Sequence, residues 1–329
     1  MVVTTFDVDA LTSWLGAAQL DVLGSPTAGG WSNETVFLRA DSRRLVLRLG
    51  PAGSSMFPSY DLGRQVTCME HARAAGLVVP AIVASDLTGT VLGRPCFVMD
   101  HLEGRVPADD DPPFTKAGFL FDATETDQRR FNERAIDAVA RVNVVAAPDF
   151  LAVGPAPRHH LAWCADLAAW AGLSHPALVR AHADLVASVP GDDDAPVGLL
   201  WGDARPANMV VDDRFDIVGL LDWELAGVGP GELDIAWFCE MNRMRSLGMG
   251  IAPLPGFLDD QATWRRWSAA SGRAPIHIDW HHRFAAYRVA VLLFLFLGAA
   301  IRHGRLPADH RLLRENLATR RLDELFAGR

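Results

Sequence analysis

The chain is poor in features that mark several common protein classes. Its 329 residues hold only four cysteines, Cys68, Cys96, Cys164 and Cys239, and no two lie close enough for a CxxC site. That spacing argues for reduced, buried thiols in a cytoplasmic protein rather than a disulfide scaffold. The start, MVVTTFDVDALTSWL, carries early acids and no basic stretch, so a signal peptide is not expected. The longest apolar run, Val289 to Ile301, has 13 residues between Arg288 and Arg302. It is too short to span a bilayer and reads as a buried helix, so no membrane partner is expected. Positive charge is also in deficit: 31 Lys and Arg against 40 Asp and Glu give a net charge of −9. Phosphate would repel such a chain, so no nucleic acid is expected as a partner. A local basic pocket stays open to it, and the acidic balance mildly favours a cationic second substrate. No internal repeat stands out.

Half of the residues are hydrophobic and 22% are charged, the proportions of a folded globular chain. The length favours two subdomains. The first third reads as mostly β: a short helix over Phe6 to Leu20, a hairpin of TVFLR and LVLRL (Thr35 to Arg39 and Leu45 to Leu49), and strands at Val78 to Val83 and Arg94 to Met99. One helix, Asp61 to Ala75, interrupts it, with Leu62, Val66, Met69 and Ala72 sharing a face. Then DHLEGRVPADDDPP has the composition of a linker. The boundary is placed near Gly104, giving domains 1–104 and 105–329. Helices are expected at Gln128 to Ala147, Ala162 to Gly172, Pro176 to Val189, Leu233 to Met244, Asp259 to Ala270 and Trp280 to His303.

One stretch inside the helical part is different: LLWGDARPANMVVDDRFDIVGLLDWE, Leu199 to Glu224. Two of its acids, Asp203 and Asp222, end apolar strand-like runs. Asn208 opens the run MVV, and DDRFD is turn material. Asn208 and Asp222 each stand seven residues from Phe215, so a hairpin centred there puts them side by side and returns Asp222 toward Asp203. One carboxylate plus one amide oxygen suits Mg²⁺, which takes oxygen ligands and shares its sphere with water and substrate phosphates. Asp203, offset from that pair, is placed to orient an attacking hydroxyl and take its proton. Singly, each residue is more simply a turn cap or a strand end. Their joint spacing is what points to chemistry.

WGDARPANMVV followed by GLLDWE resembles the HGDxxxxN…DWE region of the aminoglycoside-phosphotransferase-like small-molecule kinases, relatives of the protein kinases. The resemblance implies an α+β, protein-kinase-like two-lobed fold, with a small β-rich N-lobe and a larger, mainly helical C-lobe. It implies Asp203 as catalytic base and Asn208 and Asp222 as Mg²⁺ ligands, with Trp201, Arg205 and Asp234 in support. For ATP it implies a glycine-rich loop at Gly29, Gly30, Ser32, Asn33 and Thr35, a phosphate cation at Arg48, its helix partner at Gln65, and a hinge from Asp100 to Leu102. Glu70 is the alternative partner of Arg48. Glu224 and Glu240 are candidates for contact with the acceptor.

Departures from the family pattern are visible. Its HGD histidine is Trp201 here, and another family histidine is Asn143. The Glu that usually pairs with the strand cation is Gln65. The acceptor implied is a small-molecule hydroxyl; the family covers aminoglycosides, macrolides, sugars, choline-like and amino-acid alcohols, and its forms joined to acyl-CoA dehydrogenases act on hydroxyacyl-CoA. The DWE form with Arg48 is most similar to that last group. A nucleotide-binding pseudokinase is the alternative. Two further features read as surface: HIDWHH (His277 to His282), whose histidines lack an HExxH glutamate, and the acid runs Asp109 to Asp111 and Asp192 to Asp194, taken as solvated turns.

Overall fold

The computed structural model describes residues 6–26, 33–53, 56–110, 112–148, 154, 156–192 and 194–327. It divides into two compact units, Met1–Glu103 and Gly104–Arg329.

The first unit is built on one antiparallel sheet. Its strands are β1 (Leu20–Gly24), β2 (Glu34–Ala40), β3 (Arg43–Leu49), β4 (Ile82–Asp86) and β5 (Cys96–Asp100), in the order β1-β2-β3-β5-β4. Helix α1 (Val8–Leu15) precedes the sheet, and α2 (Leu62–Ala74) falls between β3 and β4. The opening helix is shorter than its sequence suggests. Gly16 takes φ 63°, a left-handed cap that stops α1 and frees Leu20 to begin a strand. Asp41 makes the β2–β3 turn at φ 52°, and its Oδ1 accepts from the backbone N–H groups of Ala18 and Gln19. Val78–Val83 does not run as a strand from its start. Pro80 has no N–H to give, and pairing begins only at Ile82. Leu11, Leu38, Leu47, Leu49 and Val98 are fully buried in the core of this unit.

The second unit is mainly helical. Its helices are α3 (Glu125–Asn143), α4 (Pro157–Trp170), α5 (Pro176–Ala187), α6 (Glu232–Met244), α7 (Asp260–Ser271), α8 (Ile278–Arg302) and α9 (Leu317–Phe326). Side chains cap several N-termini: Thr124 for α3, Asp259 for α7, and a capping box of Asn316 and Thr319 for α9. Helix α8 contains the long apolar run. By length and composition it could cross a membrane, yet 78% of its most apolar window is buried, against α4, α5, α6 and α9.

Two small antiparallel pairs lie among these helices. β7 (Met209–Val211) pairs with β8 (Ile217–Leu220), which is the hairpin read from the sequence. β6 (Val197–Leu200) pairs with β9 (Gly227–Pro230), a strand whose GVGP sequence carries little β signal. Register in the hairpin pairs Met209 with Leu220 and slips between Val210 and Val211. Asn208 therefore faces Leu221, one residue before Asp222, with Leu221 N donating to Asn208 O at 2.8 Å.

Both pairs converge on residues 201–208. Gly202 turns the chain out of β6 at φ 85°, and a Cβ there would lie 1.9 Å from Leu225 O. Neither the dihedral nor the space admits a side chain. Gly202→Ala is expected to lower stability by about 2–4 kcal/mol, read as a reduced denaturant midpoint in urea melts. A midpoint equal to wild type would mean that the turn relaxes freely.

Candidate active site

The site is assembled from the loop between β6 and β7. After Gly202, Pro206 opens a single 3₁₀ turn over Pro206–Asn208, which points Asn208 back at the loop. Its Nδ2 donates to Asp203 O at 3.0 Å and to Asp203 Oδ2 at 2.8 Å. Two further donors hold the same carboxylate. Arg205 Nε reaches Oδ2 at 2.9 Å, and Trp237 Nε1, from α6, reaches Oδ1 at 2.9 Å. Asp203 is buried, and every one of these partners is a donor, so the cage suits a carboxylate acceptor. A carboxylate has about four lone-pair positions; three are used, leaving one on Oδ1.

The loop is anchored from below by Asp234, on the first turn of α6 and 1% exposed. Its Oδ2 accepts from Trp201 N at 2.8 Å and Asn143 Nδ2 at 2.9 Å, and its Oδ1 from Gly202 N at 2.9 Å. Burial pushes this carboxyl up from its usual value, while the Gly202 and Trp201 N–H groups and Asn143 pull against the shift. Asn143 is itself oriented by Trp267 Nε1, which donates to its Oδ1 at 3.0 Å. Trp201 is fully buried, and its indole donates to Leu221 O at 2.8 Å. That bond ties Trp201, two residues before Asp203, to Leu221, the residue before Asp222. Arg288, from α8, donates to Gly202 O at 2.8 Å and lies 4.5 Å over the Trp237 ring.

Asp222 follows β8 in the left-handed region, at φ 55°. Asp is one of the few non-glycine residues that tolerates this conformation, at a small cost. Its carboxylate and the Asn208 amide oxygen form an all-oxygen pair. Because Asn208 turns its nitrogen to Asp203, its Oδ1 lies on the other side of the planar amide. This donor set fits a hard divalent cation of the Mg²⁺ type that completes its sphere with water and phosphate.

Residues 24–270 match the phosphotransferase enzyme family APH. The chain belongs to this family. Mouse acyl-CoA dehydrogenase family member 10 is 24% identical over 279 residues, covering 80% of this chain and 25% of the relative. The chain thus spans about a quarter of that curated relative's length. Among solved structures, an inferred aminoglycoside phosphotransferase of Ralstonia eutropha superposes with a TM-score of 0.71 at 18% identity, covering 97% of this chain and 96% of that one. A thermostable mutant of aminoglycoside phosphotransferase APH(4)-Ia, in ternary complex with ADP and hygromycin B, gives 0.57 at 15% identity, covering 98% and 99%. The fold is accordingly the protein-kinase-like α+β fold shared with these phosphotransferases.

In the first unit, Thr35 and Arg48 are cross-strand partners, and Arg48 Nη1 donates to Thr35 Oγ1 at 2.8 Å. Gly29, Gly30 and Ser32 fall outside the described residues, and Asn33 is buried just before β2. Gln65 sits on the buried face of α2, whereas Glu70 is exposed, so the two acids-or-amides considered for Arg48 point to different faces. Asp100 pairs with Arg43 at 2.8 Å, and Leu102 is half-buried beyond β5.

Several residues of the second unit sit differently from their sequence reading. Glu224, half-buried in the turn after Asp222, is not one of them. Glu240 is 1% exposed and pairs with Arg321 of α9 at 3.3 Å, which makes it a helix-packing ion pair with no open face for an acceptor. Asp109 is no solvated turn. Arg205 Nη1 and Arg245 Nη2 both bond its Oδ2, and Arg245 Nε bonds its Oδ1 at 2.8 Å. Those guanidiniums hold its carboxyl below the usual range despite its burial. Asp192 pairs with Arg158, and Asp194 with His277 Nε2 at 2.8 Å. Among the described residues no group of three or more His, Cys, Asp or Glu is gathered for a metal, so His277 and His281 have no third ligand.

Trp237, Arg288 and Arg245 went unnoticed in the sequence. The i to i+3 step from Asp234 to Trp237, which puts both on one face of α6, was the available signal for the first.

Two measurements follow from this arrangement. Asp234→Asn removes a buried charge, yet it should destabilise by about 1–3 kcal/mol, because every partner is a donor and the new NH₂ meets an N–H. An unchanged melting temperature would contradict that. His281 is buried and His160 half-buried; desolvation keeps both neutral, with folded values near 4 for His160 and near 3 for His281 against an ordinary 6.5. Their stabilising contribution is complete above pH 6.5 and is lost as pH falls toward those values. His281→Leu should flatten the stability-versus-pH slope below 6.5 by up to about 1.4 kcal/mol per pH unit, read in urea melts at successive pH values.

Proposed function

We propose that this protein is an ATP- and Mg²⁺-dependent phosphotransferase that moves the γ-phosphate to a hydroxyl of a small molecule. The observation carrying this reading is the hydrogen-bonded unit Asp203–Asn208, with Asp222 brought alongside by the Leu221–Asn208 backbone bond. Asn208 and Asp222 would hold the cation, which when bound neutralises phosphate charge. Asp203 receives the acceptor hydroxyl at the remaining lone pair of Oδ1 and takes its proton as the new P–O bond forms and the bond from the γ-phosphorus to the β,γ-bridging oxygen breaks, releasing ADP. Trp237, Arg205 and Asn208 fix the direction of that lone pair. Within the first unit, Thr35 and Arg48 offer a hydroxyl and a guanidinium suited to phosphate oxygens.

The acceptor class is left wider than the family name. The APH(4)-Ia complex contains hygromycin B, and a macrolide 2′-phosphotransferase from Brachybacterium faecium shares the fold with a TM-score of 0.54. The mouse relative carries an acyl-CoA dehydrogenase name. A metabolite-library phosphorylation screen read by mass spectrometry is the direct route to the acceptor.

The mechanism is tested by Asp203→Asn. Magnesium-dependent ATP turnover should fall by about 10²- to 10⁴-fold, with nucleotide affinity little changed. Wild-type protein that binds nucleotide but turns over no acceptor in the screen would instead favour a pseudokinase acting as a regulatory or scaffold module.

A further inference from the structure

Beyond the residues that would touch substrate, the second unit carries a chain of alternating charges that ends on the base. It runs Arg245, Asp109, Arg205, Asp203. Arg245 grips Asp109 with two nitrogens, Nε to Oδ1 at 2.8 Å and Nη2 to Oδ2 at 2.5 Å. Arg205 then spans two carboxylates, with Nη1 on Asp109 Oδ2 and Nε on Asp203 Oδ2 at 2.9 Å. Arg245 and Asp109 are each only 21% exposed, Arg205 20% and Asp203 12%, so water screens them weakly.

The backbone around Asp109 is also fixed. Gly104, at φ 146°, lies so close to β7 that a Cβ would come within 2.6 Å of Val210 Cγ1. Arg105 and Val211 then exchange both backbone hydrogen bonds at 2.8 Å. Past Asp109, Phe114 N donates to Ala108 O at 2.8 Å, and the Thr115 hydroxyl donates to Arg245 O. The segment is therefore strapped to the hairpin at one end and to the end of α6 at the other. Arg205 on its own is a long side chain with several rotamers, two residues from the base. Left on a single bond it would sample other positions and carry Asp203 with it.

We infer that Asp109 is a positioning residue: it locks Arg205, and through Arg205 it fixes the orientation of the Asp203 carboxylate. The consequence for rate rests on the phosphotransfer reading above; the consequence for Asp203 geometry does not. Trp237 provides a local reporter, because its indole N–H donates to the other oxygen of the same carboxylate.

The experiment labels the ten tryptophans with ¹⁵N and follows the Trp237 indole resonance, assigned by its loss in Trp237→Phe. In Asp109→Asn the Trp237 signal should shift and its proton should exchange faster, while Trp280, bonded to Leu185 O, stays in place. Asp109→Glu should restore part of the wild-type signal. In turnover assays with Mg²⁺ and ATP, kcat for Asp109→Asn should fall about 10- to 100-fold with KM for ATP nearly unchanged. Should Asp109→Asn fail to fold because Arg245 loses its buried partner, the double variant Asp109→Asn/Arg245→Gln removes both charges together and carries the same expectation. A folded variant with lowered melting temperature but an unmoved Trp237 resonance and an unchanged kcat overturns the inference, leaving a structural ion pair only. Absence of turnover in the wild type would count against phosphotransfer alone, since the Trp237 signal still decides the positioning.

Discussion

The site depends on one buried carboxylate that performs no chemistry. Asp234 accepts the backbone N–H groups of Trp201 and Gly202, so the loop bearing Asp203 hangs from α6 by charge-assisted bonds. Burial of that charge is unfavourable in itself, as the upward push on its carboxyl shows. Three donors offset it, and the geometry they impose is specific: a residue at 201 whose amide turns inward, a glycine at 202, and an amide side chain at 143. Once those are set, the directions of Asp203 and Asn208 follow from the turn that Pro206 opens.

Around Asp203 the physical theme is donation from different elements. The 3₁₀ turn supplies Asn208, the loop supplies Arg205, and α6 supplies Trp237. Each restrains the carboxylate in a different direction. This is pre-organisation of a hydrogen-bond acceptor, held by fixed dipoles rather than by movement. The substitution of Trp for the family histidine at 201 fits the same logic. Its indole reaches Leu221 O, so a residue otherwise used for packing also joins the loop to the hairpin.

Much of this was legible in the linear chain, for a reason. Asp203, Asn208 and Asp222 are brought together by one loop and one short hairpin, and local geometry is what residue spacing encodes. The hairpin's register was off by one residue, because the slip between Val210 and Val211 has no sequence mark. Helix existence was readable from apolar periodicity for α1 to α8, while α9 was not expected and ends set by a cap such as Gly16 were not visible. The partners of Asp203 that lie far away in sequence were hidden. Asp109 looked like part of a solvated run of acids in a Pro-rich segment, since nothing nearby announces that two arginines, 96 and 136 residues on, will close over it. Glu240 looked available for an acceptor because its ion-pair partner, Arg321, stands on the last helix.

The bonds under Asp203 also have a consequence for the order of folding. Asn143 binds Asp234 across 91 residues, and Trp267 binds Asn143 across 124. Closing loops of that length precedes any return from the contacts they bring together, so such pairings are slow to form. Helices α3, α6 and α7 must therefore be docked before the loop above them acquires its shape. A partly folded second unit can hold most of its helices and still lack the ordered loop that carries Asp203, and that order should appear only with the last cooperative step.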